Sequence, residues 1–136
     1  MSRFSILGYQ LLTGISDSST GAMLMISPAF ALRLMRLSTP SDALTYVSFI
    51  GAFVLSVGLA CLYGALLAYH KGSRTKLEIV WLLTAFTRAG VAIFVMEQVL
   101  VNALEAGWSM VAIFDGMCVF IQAIGLRKGW LTSAAR

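Results

Sequence analysis

Gln10–Thr20, QLLTGISDSST, lies in the middle of the first apolar segment of the chain. Gln10, Thr13, Asp17 and Thr20 are spaced three, four and three apart, so a helix brings all four onto one face. The flanking residues are apolar enough to enter a bilayer. A carboxyl group at that depth is costly, and in membrane helices such groups face other protein or a wet cavity. The stretch therefore predicts a helix that turns this stripe inward, and other membrane helices that close around it. The fold class expected is all-α, a bundle of four transmembrane helices with a short interfacial helix after the first span.

The totals agree. Of 136 residues, 59% are hydrophobic and only 12% charged, and the mean hydropathy is +0.86. Soluble domains carry about 25% charged residues. A span needs roughly 20 apolar residues, so this length holds four spans with short connections in a single integral membrane domain. The net charge of +4 is not read as a nucleic-acid footprint, because the basic residues collect at segment ends, where membrane orientation accounts for them. The apolar run at the N-terminus is broken by ISDSST and begins at Met1, so it is read as a retained span rather than a cleaved signal.

Spans are expected at about 4–26, 43–69, 77–104 and 108–126. Between the first two, PAFALRLMRL sets Arg33 and Arg36 at helical spacing among Leu and Met, the pattern of an interfacial helix. STPSD breaks the chain, with Ser41 or Asp42 offering an N-cap. Arg3, Lys71, Arg74, Lys76, Arg127, Lys128 and Arg136 fall on one side, and only Arg33 and Arg36 on the other. That asymmetry places both termini in the cytoplasm. Tyr46, Tyr69, Trp81, Trp108 and Trp130 fall at span ends, where aromatic belts form.

Small residues mark where helices approach. In the second span Ala52, Ser56, Ala60, Gly64 and Ala68 recur every four residues, and Gly51, Gly58 and Ala65 every seven; the first span carries Gly14, Ser18 and Ala22, the fourth Ala112 and Gly116. Close backbone approach matters in lipid, which supplies no hydrophobic drive for association. The competing reading is that Gly and Ala are simply common in membrane helices.

Four ionisable side chains lie within the spans: Asp17, Arg88, Glu97 and Asp115. Asp17 and Arg88 fall within about 8 Å in depth at ~1.5 Å per residue, a gap an Arg side chain bridges. Thr84, Arg88, Val91, Val95, Gln98 and Asn102 share a face of the third span, and Asp115, Cys118, Gln122 and Gly125 one of the fourth. Pairing of Arg88 with Asp17 is expected, with Asp115 and Gln122 nearby. One reading is a buried ion pair that fixes helix register. The other is a pocket for a polar headgroup, a quinone or a small anion, or a proton path. Glu97 stands two and a half turns from Arg88 and so points the opposite way, towards lipid, snorkelling at the interface, or towards a partner.

Several chemistries are excluded. His70 is the only histidine, so neither bis-histidine haem within the chain nor a multi-His metal site is available. There is no Cys-x-x-Cys, phosphate-binding glycine loop or Gly-x-Ser-x-Gly elbow. Ser18 and Ser19 beside Asp17 lack a base, and no catalytic or metal-ligating set is assigned. Cys61 and Cys118 fall in apolar segments and read as buried small hydrophobes.

LLTGISDSSTGAMLMISPAFALRLM (residues 11–35), YVSFIGAFVLSVGLACLYGALL (residues 46–67) and an arginine in the third span together resemble the DoxX-like group of small four-helix bacterial membrane proteins. The resemblance implies a bacterial inner membrane and a setting beside redox or quinone chemistry, and it carries over no functional residue. The leading expectation is a non-catalytic membrane subunit or scaffold, in contact with membrane lipids and packed against other subunits or copies of itself. One alternative is a small membrane enzyme or a quinone- or lipid-binding protein with a pocket at Asp17, Arg88 and Asp115. A further one is an oligomeric transporter or channel, for which polar groups should run from one interface to the other.

Overall fold

The computed structural model describes residues 2–70 and 73–134, and it is all-α over them. Four long helices carry the architecture: α1 (Arg3–Ile26), α3 (Leu44–Tyr69), α4 (Arg74–Leu100) and α5 (Ser109–Arg127). Two short ones, α2 (Pro28–Leu34) and α6 (Leu131–Ala134), fold back against their ends. Three stretches, Ser41–Tyr69, Arg74–Leu100 and Ala106–Arg127, are long and apolar enough to cross a membrane. The 24-residue α1 has the length as well, but its Gln, Ser, Thr and Asp residues keep it outside that set. Lys71 and Arg136, two of the cations counted for orientation, lie outside the described residues.

The helices assemble as two antiparallel pairs. In the tighter one, α1 lies along α3 with glycines at the crossing. A Cβ on Gly51 would stand 2.8 Å from that of Leu24, and one on Gly14 would stand 2.8 Å from Leu62. Gly58 meets the backbone of Ser18, and Gly21 that of Leu55. These backbones are in contact, the geometry that substitutes for hydrophobic drive between helices in lipid. At the end of the pair the Arg3 guanidinium donates to the carbonyls of Ala68 and Tyr69, closing the C-terminus of α3.

Of the two small-residue registers on α3, the seven-residue one is buried throughout and the four-residue one only at its C-terminal end, at Gly64 and Ala68. Gly51, Gly58 and Ala65 are all buried, whereas in the other series Ala52 and Ser56 are exposed, Ala60 half-buried, and Gly64 and Ala68 buried. The reason is angular. A four-residue step overshoots a full turn by about 40°, so the series Ala52, Ser56, Ala60, Gly64 winds around the helix. A seven-residue step falls only ~20° short and stays on one face. On α1, Gly14 is buried, with Ser18 and Ala22 half-buried beside it.

Three helix ends differ from expectation. The third span stops at Leu100 rather than 104, because Asn102 takes φ +58°. The N–H groups of Asn102 and Ala103 then return to Val99 and Gln98, a left-handed C-terminal reversal in which asparagine is tolerated. Arg36 (φ +56°) ends α2 the same way, and Gly129 (φ +63°) ends α5. Neither Ser41 nor Asp42 caps α3: Ser41–Ala43 forms a 3-10 turn that leads into it without a side-chain cap. Trp81 is not in an aromatic belt. Since α4 starts at Arg74, Trp81 lies two turns inside and is fully buried.

The space between the two pairs is filled differently at its ends. Where α1 begins and α5 ends, Ile6, Ala68, Leu77, Trp81 and Leu131 form a sealed apolar cluster with Tyr9, Leu67, Leu126 and Trp130 against it. At the opposite end α2 turns back so that Ala31, Leu32 and Leu37 pack on Leu24 and Val47. The loop after α2 is tied to the α4–α5 loop through Ser38, whose hydroxyl and backbone N–H both donate to the Glu105 carboxylate. Between these ends the pairs separate.

Candidate functional site

At mid-height of the bundle Arg88 reaches from α4 to both neighbours. Its Nη1 donates to Asp115 Oδ1 on α5 at 2.5 Å, and its Nη2 donates to Asp17 Oδ2 on α1. Arg88 is 3% exposed, Asp17 8% and Asp115 9%, so this is a buried acid–arginine–acid cluster. Phe114 lies under the guanidinium, 5.6 Å from its carbon to the ring centroid, a cation–π contact that gains strength where water is excluded. The triad joins three helices, and α1 and α5 touch little except through it and its neighbours.

One turn towards the sealed end stands a second polar layer. Thr84 Oγ1 donates to the carbonyl of Val80 (2.8 Å) and accepts from Gln122 Nε2 (2.7 Å). Gln10 and Gln122 are wholly buried. Tyr9 packs its ring 5.4 Å from Trp81 and directs its hydroxyl to the carbonyl of Cys118. Thr13 donates to Tyr9 O within its own helix, which disposes of its hydroxyl locally. Both cysteines are buried and free.

On the other side of the triad lies a cleft of about 770 Å³ between the two helix pairs. The triad forms its inner end. Its walls are Val54 and Val57 of α3, Val91 and Phe94 of α4, Val111 and Phe114 of α5, and Leu32, Met35 and Trp108 line the end covered by α2. Ser16, Thr20, Thr39 and Thr87 bring hydroxyls to a largely apolar lining. Phe53, Phe94 and Val91 are also partly exposed on the outer surface, so the cleft opens sideways between helices.

The residues expected inside divide accordingly. Gln10, Thr13, Asp17, Thr84, Arg88, Asp115 and Gln122 are all buried in the bundle, and Thr20 is half-buried on the cleft wall. Gln98 is not brought in. It sits half-buried ten residues beyond Arg88 on α4, and its carbonyl accepts the N–H groups that close that helix. Glu97 is exposed, in a shallow apolar groove with Ile93, Met96 and Leu100. Tyr9, Trp81 and Phe114 belong to the site and were not anticipated. The signal for Trp81 was present, since Trp81, Thr84 and Arg88 follow the same three-and-four spacing.

Among the described residues no three His, Cys, Asp or Glu side chains are grouped to hold a metal ion. No protein-family model, curated protein or solved structure matches the chain.

Proposed function

We propose that the chain is a four-span integral protein of a bacterial inner membrane, its termini cytoplasmic, whose cleft binds an amphiphile with an apolar tail and a neutral hydrogen-bonding head. An isoprenoid quinone or quinol is the occupant that fits best. The observation that carries this reading is the joining of an apolar, laterally open cleft to the buried cluster of Asp17, Arg88 and Asp115 at its inner end. Pockets of roughly 300–1,000 Å³ with apolar walls and a few convergent polar groups are the usual form of small-ligand sites.

The charge balance selects the head. Both terminal nitrogens of Arg88 are already engaged by carboxylates. Two carboxylates against one guanidinium give the ionised cluster a formal charge of −1, which repels a phosphate or carboxylate head in a low-dielectric setting. A carbonyl or hydroxyl head has no such penalty. A carbonyl accepts from the hydroxyls of Ser16, Thr20 and Thr87, and a quinol hydroxyl donates to the carboxylate oxygens at the end of the cleft. The small-anion reading of the site is correspondingly disfavoured.

Crossing of the membrane by α1 is supported by its company. Its contacts with α3 run from Arg3 near Ala68 to Leu24 at Gly51, and Asp17 has a counter-charge in Arg88. The resemblance to DoxX-like proteins points to the same setting. Against a through-channel, the polar column ends at the apolar cluster around Ile6 and Leu77.

The test is titration of the purified protein in lipid nanodiscs with a short-tailed benzoquinone, read as quenching of Trp108 in the cleft lining. Saturable quenching that is lost in Trp108→Phe, and weakened at least tenfold in Gly90→Phe, is expected. Gly90 lines the cleft, and a Cβ there meets nothing within 4 Å. Non-saturating quenching, identical in both variants, would overturn the reading.

A second reading, a membrane subunit that docks on a partner, draws on Glu97. A carboxylate exposed on an apolar helix face beside Ile93 and Leu100 is expensive in lipid and cheaper against a partner's donor.

A further inference from the structure

The layer between the triad and the sealed end has more hydrogen-bonding capacity than the protein uses. Gln10 and Gln122 come from α1 and α5, Trp81 and Thr84 from α4, and none is more than 3% exposed. After the Gln122–Thr84 bond is counted, both amide atoms of Gln10, Oε1 of Gln122, Nε1 of Trp81 and Nε of Arg88 have no protein partner. Buried polar atoms are almost always paired, with protein or with ordered water. Here several orphans occur together, in the part of a membrane protein where an unpaired group is most costly.

A chain of contacts links the residues that carry these atoms. The Gln10 amide lies against Gly64, where Val80 also approaches. Val80 accepts from Thr84, and Thr84 holds Gln122. Trp81 lies beneath Gly125, three residues along α5 from Gln122. Arg88 follows Thr84 by one turn on the same face of α4. Donors and acceptors are both represented: N–H groups from Gln10, Trp81 and Arg88, and carbonyl oxygens from Gln10 and Gln122. A set with only donors would call for an anion, and one with only acceptors for a cation. A mixed set of donors and acceptors calls for a small neutral molecule that both donates and accepts.

We infer that this layer is an internal water site, in which a few bound water molecules bridge Gln10, Trp81 and Gln122 and reach Arg88 Nε at the back of the triad. A buried water typically makes about three hydrogen bonds, so two or three molecules satisfy the set. Ile6, Ala68, Leu77 and Leu131 close the site on the side away from the triad, so its water exchanges slowly. The site extends the triad's hydrogen-bond network inward, to the side opposite the cleft, and stands whether or not the cleft takes a quinone.

The test is hydroxyl-radical labelling by a brief X-ray pulse, on the protein in lipid nanodiscs, with residue-level mass spectrometry. Radicals formed from bound water oxidise the side chains beside it. Trp81 should be labelled at least fivefold faster, after correction for intrinsic reactivity, than Leu77 and Leu131, which are equally buried but face the apolar cluster. Mixing into H₂¹⁸O just before the pulse should leave the oxygen on Trp81 largely ¹⁶O, as slowly exchanging water requires. Gln10→Leu with Gln122→Leu should reduce the labelling at least threefold. Corrected labelling of Trp81 no faster than that of Leu77 would overturn the inference without any variant. Immediate incorporation of ¹⁸O at the level of exposed residues would overturn the enclosed site.

Discussion

Removing the guanidinium of Arg88 alone should be far more damaging than removing the whole triad. Arg88→Leu leaves Asp17 and Asp115 buried, facing one another with no counter-charge. Breaking one partner out of a buried ion pair costs about 3–5 kcal/mol, whereas replacing all members by apolar or neutral groups is often neutral or stabilising. Phe114 also loses the cation it lies beneath, a contact of roughly 0.5–2 kcal/mol. The single substitution should therefore cost about 4 kcal/mol or more. Asp17→Asn with Arg88→Leu and Asp115→Asn should recover at least ~2 kcal/mol of that, through the coupling expected of groups in one network. Equilibrium unfolding by steric trapping in bicelles measures both values. An Arg88→Leu loss under about 1 kcal/mol, or a triple variant whose loss equals the sum of the singles, would refute the triad as the bundle's cross-link.

Other outcomes follow from the same geometry. Gly58→Val should lose about 1–3 kcal/mol by overpacking, because a Cβ there meets the backbone of Ser18, while Gly116→Ala, with nothing within 4 Å, should be neutral in the same unfolding assay. Thr84→Val should destabilise by about 1–3 kcal/mol, since it leaves the buried Gln122 amide without its acceptor; Thr84→Ser should restore most of that. With both native cysteines buried, cysteines introduced at Ser73 and Ala106 can be labelled from each side of intact inverted and right-side-out vesicles. Ser73→Cys should react only from the cytoplasmic face and Ala106→Cys only from the other; labelling of both from one side would exclude the proposed topology.

Much of this was legible in the sequence because lipid simplifies the problem. An ionic side chain in an apolar run has to find a counter-charge, so Asp17, Arg88 and Asp115 could be brought together from spacing and depth alone. The outward direction of Glu97 followed from its angle to Arg88, and the end of the first span at Ile26 from Pro28. What escaped depends on packing that one-dimensional spacing does not carry. Two small-residue registers were visible on α3, and choosing between them required the angular drift of each relative to α1. Trp81 was misplaced because tryptophan is common at interfaces, and burial at position 81 rests on Arg74 starting the helix and on Gly125 leaving room for the indole. The stop at Asn102 is a backbone choice that an apolar run hides. α6 escaped because four residues show no periodicity; Leu131 is buried by tertiary contact alone. The cleft was invisible for a related reason, since it arises from the separation of two helix pairs and not from any residue pattern.

The occupant of the cleft can be located directly by photolabelling, using a quinone analogue with a photoreactive group on its head and the protein in native-composition lipid. The account predicts adducts concentrated around the triad, on Asp17, Thr20, Phe114 and Asp115, and displaced by excess unmodified quinone. Adducts spread over the exposed Phe4, Ile26 and Phe120, undiminished by competitor, would contradict it.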